Sequence, residues 1–307
     1  MRRAFSSLLI LCAPAIVGAQ SGARQAGDAI GTWRVNVTSS TRGKPALAAM
    51  AADLQQIIAV FRREPMLAEP RGFTVLANAE VHQSGAGKMV AGSFSAILIR
   101  HTTNADGSID TGGRGEGLSF DVSVNSIGCM FGDKSDLSDA EGTMYAAITP
   151  TTMHGLPMYR DNGCIVITKR TAPPTIPVTR ERALRAAIRQ FDGTPAVAAE
   201  LQRELTQMSP ADRAAQAILD LQSFVDYSLQ GKVSRSLFAK SESATGIRLV
   251  APNPAFYDRT RLGDVQAIIV GFACGGQHDS PFCAQYPGVF EQIRDNLDWS
   301  ALAALVR

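Results

Sequence analysis

Beyond its first twenty residues the chain has no apolar run near the roughly 20 residues that a membrane-crossing helix needs, so no membrane span is expected after that point. It also lacks an excess of charge. Once residues 1–19 are set aside, for the reason given below, 28 basic residues stand against 28 acidic ones in the remaining 288. That balance argues against bulk electrostatic attraction to nucleic acid or to an anionic membrane. Lysine is scarce, six residues against 24 arginines. A GC-rich genome accounts for that as well as bidentate chemistry does, so the arginine excess carries no functional argument.

Several motifs are missing too. There is no Gly-x-Ser-x-Gly elbow, no His-Glu-x-x-His, no Cys-x-x-Cys and no Ser-x-x-Lys in a convincing setting. The four histidines, His82, His101, His154 and His278, are far apart in sequence, and His82 and His101 are expected at strand ends, on the rim. Catalytic triads are defined by geometry and not by chain order. A hydrolase with a dispersed site therefore stays open as an alternative, with His278 and Asp279 as its candidates. No repeat of fixed period occurs, which excludes a solenoid or propeller. "GAGK", residues 85–88, ends like a phosphate loop but has His82 where the first glycine belongs and Met89 where Ser or Thr should follow.

What is present begins at the N-terminus. "MRRAFSSLLILCAPAIVGAQ" has a basic start, an apolar run over residues 8–17, and the small residues Gly18 and Ala19. This is the grammar of a secretory signal peptide covering residues 1–19. It predicts an exported, bacterial-type protein, periplasmic or extracellular. Leu11 before Cys12 argues against a lipoprotein signal, and the n-region is short for a twin-arginine one.

Four cysteines remain: Cys129, Cys164, Cys274 and Cys283. An even number in an exported chain reads as two disulfides, and the spacing favours Cys129 with Cys164 and Cys274 with Cys283 among the three possible pairings. The second pair frames "GFACGGQHDSPFCAQ", residues 271–285. Cys274, His278 and Cys283, with Asp279 as a conceivable fourth ligand, could hold zinc. The spacing fits no short zinc motif, so a stapled loop is expected, with no metal and no cofactor. "TTNADGSIDTGG", residues 102–113, has Asn104, Asp106 and Gly107 where a calcium loop would have them. Thr102 and Gly113 occupy the two end positions, so a polar hairpin turn is the better reading.

The periodicities give an α+β fold: a mainly antiparallel sheet with a packed N-terminal helix, then a largely helical C-terminal region with one or two further strands. "GTWRVNVT" alternates like a strand. "KPALAAMAADLQQIIAVFRRE" carries Leu47, Met50, Leu54, Ile57, Ile58 and Phe61 on one stripe of a helix. From residue 72 to 170 five period-two segments predict an antiparallel meander. "TAPPTIPVT" reads as a stiff linker, followed by three helical patterns, two strand candidates ("GIRLVA" and "DVQAIIVGFA") and two more helices. The expected organisation is therefore 20–170 α+β, 171–178 linker, and 179–307 mainly helical, packed on the first region or separate from it. Arg182, Arg185 and Arg189 share one side of the first helix after the linker and form a candidate grip for phosphate or carboxylate. Two functions follow. The leading one is a non-catalytic binding or interaction module with a small-molecule, peptide or protein partner and no nucleic acid; the alternative is a secreted hydrolase.

Overall fold

The alternation between residues 72 and 124 becomes three long antiparallel strands, β2 (Phe73–Gln83), β3 (Val90–Arg100) and β6 (Leu118–Val124). The computed structural model describes residues 26–38, 44–83, 88–111, 118–160, 163–231, 235–272 and 288–307. The fold is α+β with mostly antiparallel sheets. Strand β1 (Trp33–Val37) lies parallel to β2 at one edge. The short pair β4 (Thr102–Thr103) and β5 (Ile109–Asp110) flanks the polar turn expected there, with Gly107 at φ 83°.

The meander does not continue as expected. Strand β7 (Phe131–Asp139) leaves the first sheet and pairs with β8 (Gly142–Ala147) in a second one. After the hairpin β9 (Thr151–Met153) and β10 (Leu156–Met158), strand β11 (Ile165–Thr168) returns to the first sheet. It does not reach β6. Between them runs β15 (Ala267–Phe272), antiparallel to both, whose Ile268, Ile269 and Val270 are buried. A strand covered on both faces reads as an unbroken apolar run, and "AIIV" is one.

The second sheet has the order β12–β14–β8–β7, where β12 is Thr175–Pro177 and β14 is Gly246–Pro252. The proline-rich segment thus supplies an edge strand, the position that a residue without an N–H tolerates. The short strand β13 (Ile218–Asp220) also pairs with β14. It interrupts the third of the helical patterns expected after the proline-rich segment, "SPADRAAQAILDLQSFVDYSLQ". Ala217 N–H donates to Val178 O and Leu249 N–H to Ala217 O, while Asp220 caps the helix that follows. Tertiary pairing here outweighs helix propensity.

Helices cover one face of each sheet. On the first, α1 (Pro45–Phe61), α7 (Val289–Asn296) and α8 (Trp299–Leu305) bury Leu54, Ile57, Phe61, Phe290 and Leu302 against β2, β3, β6 and β15. Phe61 stacks on Phe120 with centroids 5.1 Å apart and meets Phe94 edge-on at 5.2 Å. The four-residue α2 (Pro65–Ala68) follows α1, capped by the buried Glu64. On the second sheet, α3 (Arg180–Gln190), α4 (Pro195–Gln207), α5 (Pro210–Ala214) and α6 (Leu221–Gln230) surround a separate core containing Leu137, Leu184, Leu201, Tyr227 and Leu249. Residues 131–147 belong to the second core, and residues 267–306 largely to the first. The expected division at residues 171–178 is therefore not the division between the cores.

Candidate functional site

Because α1, α7 and α8 occupy one face of the first sheet, the other face is left to be covered by loops. Over β11 and β15 it is covered. Val166, Ala267 and Ile269 pack with Met130, Phe256 and Cys164 in a small third core. Cys129 and Cys164 are joined there by a disulfide, with S–S 2.07 Å and Cα–Cα 6.0 Å. Over β2, β3 and β6 the same face carries Asn78, Glu80, His82, Ser93, Ser95, Asp121 and Ser123, all exposed or half-buried.

A cleft of about 820 Å³ opens where the covered half meets the polar half. Its floor is His82, Ala91, Ser93, Ser123 and Asn125, with Ser93 and Ser123 paired across neighbouring strands. The loop between β14 and β15 contributes Asn253, Tyr257, Arg259 and Leu262. Glu141 at the tip of the β7–β8 hairpin, Ile176 of β12 and Arg182 of α3 bring in the second sheet. A volume of this size is typical of small-molecule sites, as is a position between two packed units.

Two buried amides hold the walls. Asn125 donates from Nδ2 to Val90 O (2.9 Å) and Asp264 O (2.8 Å), and its Oδ1 accepts from the N–H groups of Gln266 (2.8 Å) and Ala267 (3.2 Å). Gln266, 1% exposed, accepts from Asp258 N–H (2.7 Å) and donates to Asp258 O (2.9 Å) and Arg261 O (3.0 Å). Asn253 Nδ2 ties the other end of the loop to Pro173 O at 2.7 Å. Buried amides with both ends satisfied fix a loop in one conformation. Burial pushes the Tyr257 phenol up, so it stays protonated, and its hydroxyl has no hydrogen-bond partner among the described residues.

Arg182 crosses between the hairpin and α3. Its Nε and Nη2 donate to Asp139 at 2.7 and 3.1 Å, and Nη1 lies 3.1 Å from Glu141. The hydrogen bond from Arg182 holds the Asp139 carboxyl below the usual aspartate range, against the opposing effect of burial. Asp139 also accepts from the N–H groups of Glu141 and Gly142, so the hairpin tip is locked to the helix.

The arginine grip expected from the sequence is thus mostly occupied. Arg182 serves Asp139 and Glu141, Arg185 pairs with Glu181 at 2.7 Å, and Arg189 is exposed. Cys274, His278, Asp279 and Cys283 lie outside the described residues, as does the N-terminal segment 1–25. His101 does not sit on a rim. It is 2% exposed, bonded to Thr74. His154 occupies the β9–β10 turn at φ 50°, beside Asp295. Among the described histidines, His82 alone lines the cleft. Ser93 Oγ donates to Glu80 at 3.5 Å, and no hydrogen bond among the described residues joins His82 to Ser93 or Ser123. Apart from Arg182, sequence reasoning missed the cleft residues because they come from five separate segments. The strand alternation placed Ser93 and Ser123 on a polar face, but nothing local says what lies over that face.

Comparison of the chain with protein-family models, with curated protein sequences and with solved structures found no match in any of the three.

Proposed function

We propose that the protein is an exported, non-catalytic binding module that holds a small polar molecule in the cleft between its two sheets. The observation that carries this reading is the cleft itself: a polar floor of Ser93, Ser123 and His82, walls braced by Asn125 and Gln266, and a volume of about 820 Å³. Preorganised walls reduce the ordering cost of binding. Among the described residues no histidine is hydrogen-bonded to the floor hydroxyls, and the one carboxylate contact, Ser93 Oγ to Glu80 at 3.5 Å, is long, which favours holding a ligand over attacking it. The N-terminal signal pattern and the Cys129–Cys164 disulfide support export to the periplasm or beyond.

A thermal-shift screen of the full chain against sugars, organic acids, phosphates and amino acids tests the reading. A ligand at ten times its Kd stabilises by about 1.4 kcal/mol, a rise of a few degrees in Tm. That rise should vanish in Ser123→Phe, which fills the cleft from a half-buried position, and the ligand should be recovered chemically unchanged. Conversion of the ligand to a product would support a hydrolase or other enzyme instead. An unresponsive Tm across the panel would overturn the binding reading.

A further inference from the structure

The cations around the cleft are unequally engaged. Arg182 is engaged by Asp139 and Glu141 in a group with one net negative charge, so it offers a ligand no free cation. Lys88, beside the start of β3, and Arg259, on the loop between β14 and β15, are exposed and line the same cleft. Neither forms an ion pair among the described residues. Beneath them lie the paired hydroxyls of Ser93 and Ser123. Two exposed carboxylates share this face, Glu80, which accepts from Ser93 Oγ at 3.5 Å, and Asp121, and neither belongs to the cleft lining.

We infer that the ligand is a small anion, carrying a carboxylate or a phosphate that Lys88 and Arg259 grip from two walls while its polar remainder meets Ser93 and Ser123. The inference rests on the binding reading above and names its ligand class. Two cations on separate elements, with hydroxyl donors between them, suit an anion of several polar groups, because charge-assisted hydrogen bonds are the stronger and more directional kind. Arg182 offsets one of its two carboxylate partners, and the one negative charge left over, at Glu141 on the hairpin tip, is outweighed by the two cations Lys88 and Arg259.

The test is calorimetric titration of the full chain with inorganic phosphate, citrate and glucose at low salt, repeated on Lys88→Gln/Arg259→Gln. Both side chains are exposed, so the double variant should melt like wild type. Saturable binding of phosphate or citrate is expected, weakened roughly tenfold per cation removed and weakened again by added NaCl. Binding of phosphate alone identifies a phosphate ligand, and binding of citrate alone a carboxylate. Failure of both anions to bind, or anion binding that the double variant leaves unchanged, overturns the inference. If glucose binds and both anions fail, and Ser123→Phe abolishes the glucose signal, the cleft still binds a ligand and only its class is wrong.

Discussion

Asn125 sits at φ 56°, a left-handed conformation that asparagine tolerates better than most residues, and makes four side-chain hydrogen bonds from that position. Backbone and side chain can be separated by Asn125→Gly, which keeps the conformation and deletes the bonds. The stranded groups of Gln266, Ala267, Val90 and Asp264 should then cost about 3 kcal/mol or more in chemical denaturation; an unchanged midpoint would mean the amide does not brace the cleft. His101 gives a pH signature. Thr74 donates its hydroxyl proton to Thr111 O, so at His101 it can only accept, and the ring proton sits on Nε2. Burial holds the ring's pKa below 6.5, against the raising effects of the Ala29 carbonyl and Asp110. The unfolded chain takes up this proton near its ordinary pKa while the folded one resists, so stability falls as pH drops through 6.5. Between about pH 8 and pH 5.5 wild type should lose more Tm than His101→Gln, whose side chain stays neutral. Parallel losses would show that His101 does not couple folding to pH.

At the scale of elements, α1 was fully legible. Its stripe Leu47, Met50, Leu54, Ile57, Ile58 and Phe61 is buried as the spacing predicts, because a helix packed on a sheet must hide one face. Leu54 is 2% exposed, and Leu54→Asp should prevent folding or remove more than about 4 kcal/mol. Melting close to wild type would deny the helix its core. Strand β7 was illegible. "FGDKSDLSD" is rich in Asp and Ser, and its pairing with β8 is irregular at two places, so neither propensity nor strict alternation marks it. The segment between β6 and β7 is tethered to β11 by the Cys129–Cys164 disulfide, across 35 residues. On the chain-entropy model, Cys129→Ser with Cys164→Ser should lower stability by about 4 kcal/mol. The same variant should loosen Ser126 and Ile127 in the cleft wall, seen as faster amide exchange there. Slow exchange at Ser126 and Ile127 in the variant would separate the disulfide from the cleft.

In the whole molecule the α+β class followed from periodicity, while the route of the chain between its two cores did not. Local patterns fix which face of a strand is apolar. They do not say that β15, a hundred residues downstream of β11, runs between β11 and β6, or that residues 131–147 join helices that begin at residue 180. The cleft is a product of that long-range pairing, so its residues carried no signal as a set. The arginine row was legible as a surface, but its carboxylate partners Asp139 and Glu141 arrive from the β7–β8 hairpin and change its meaning. The central claim is that the cleft holds a small molecule. Native mass spectrometry of the full chain as isolated from its host, alongside Ser93→Phe and Ser123→Phe, tests it most directly. Wild type should carry a discrete mass above that of the polypeptide, and both variants should lack it while melting as folded proteins. A bare wild-type mass, or an adduct retained by both variants, would contradict the account.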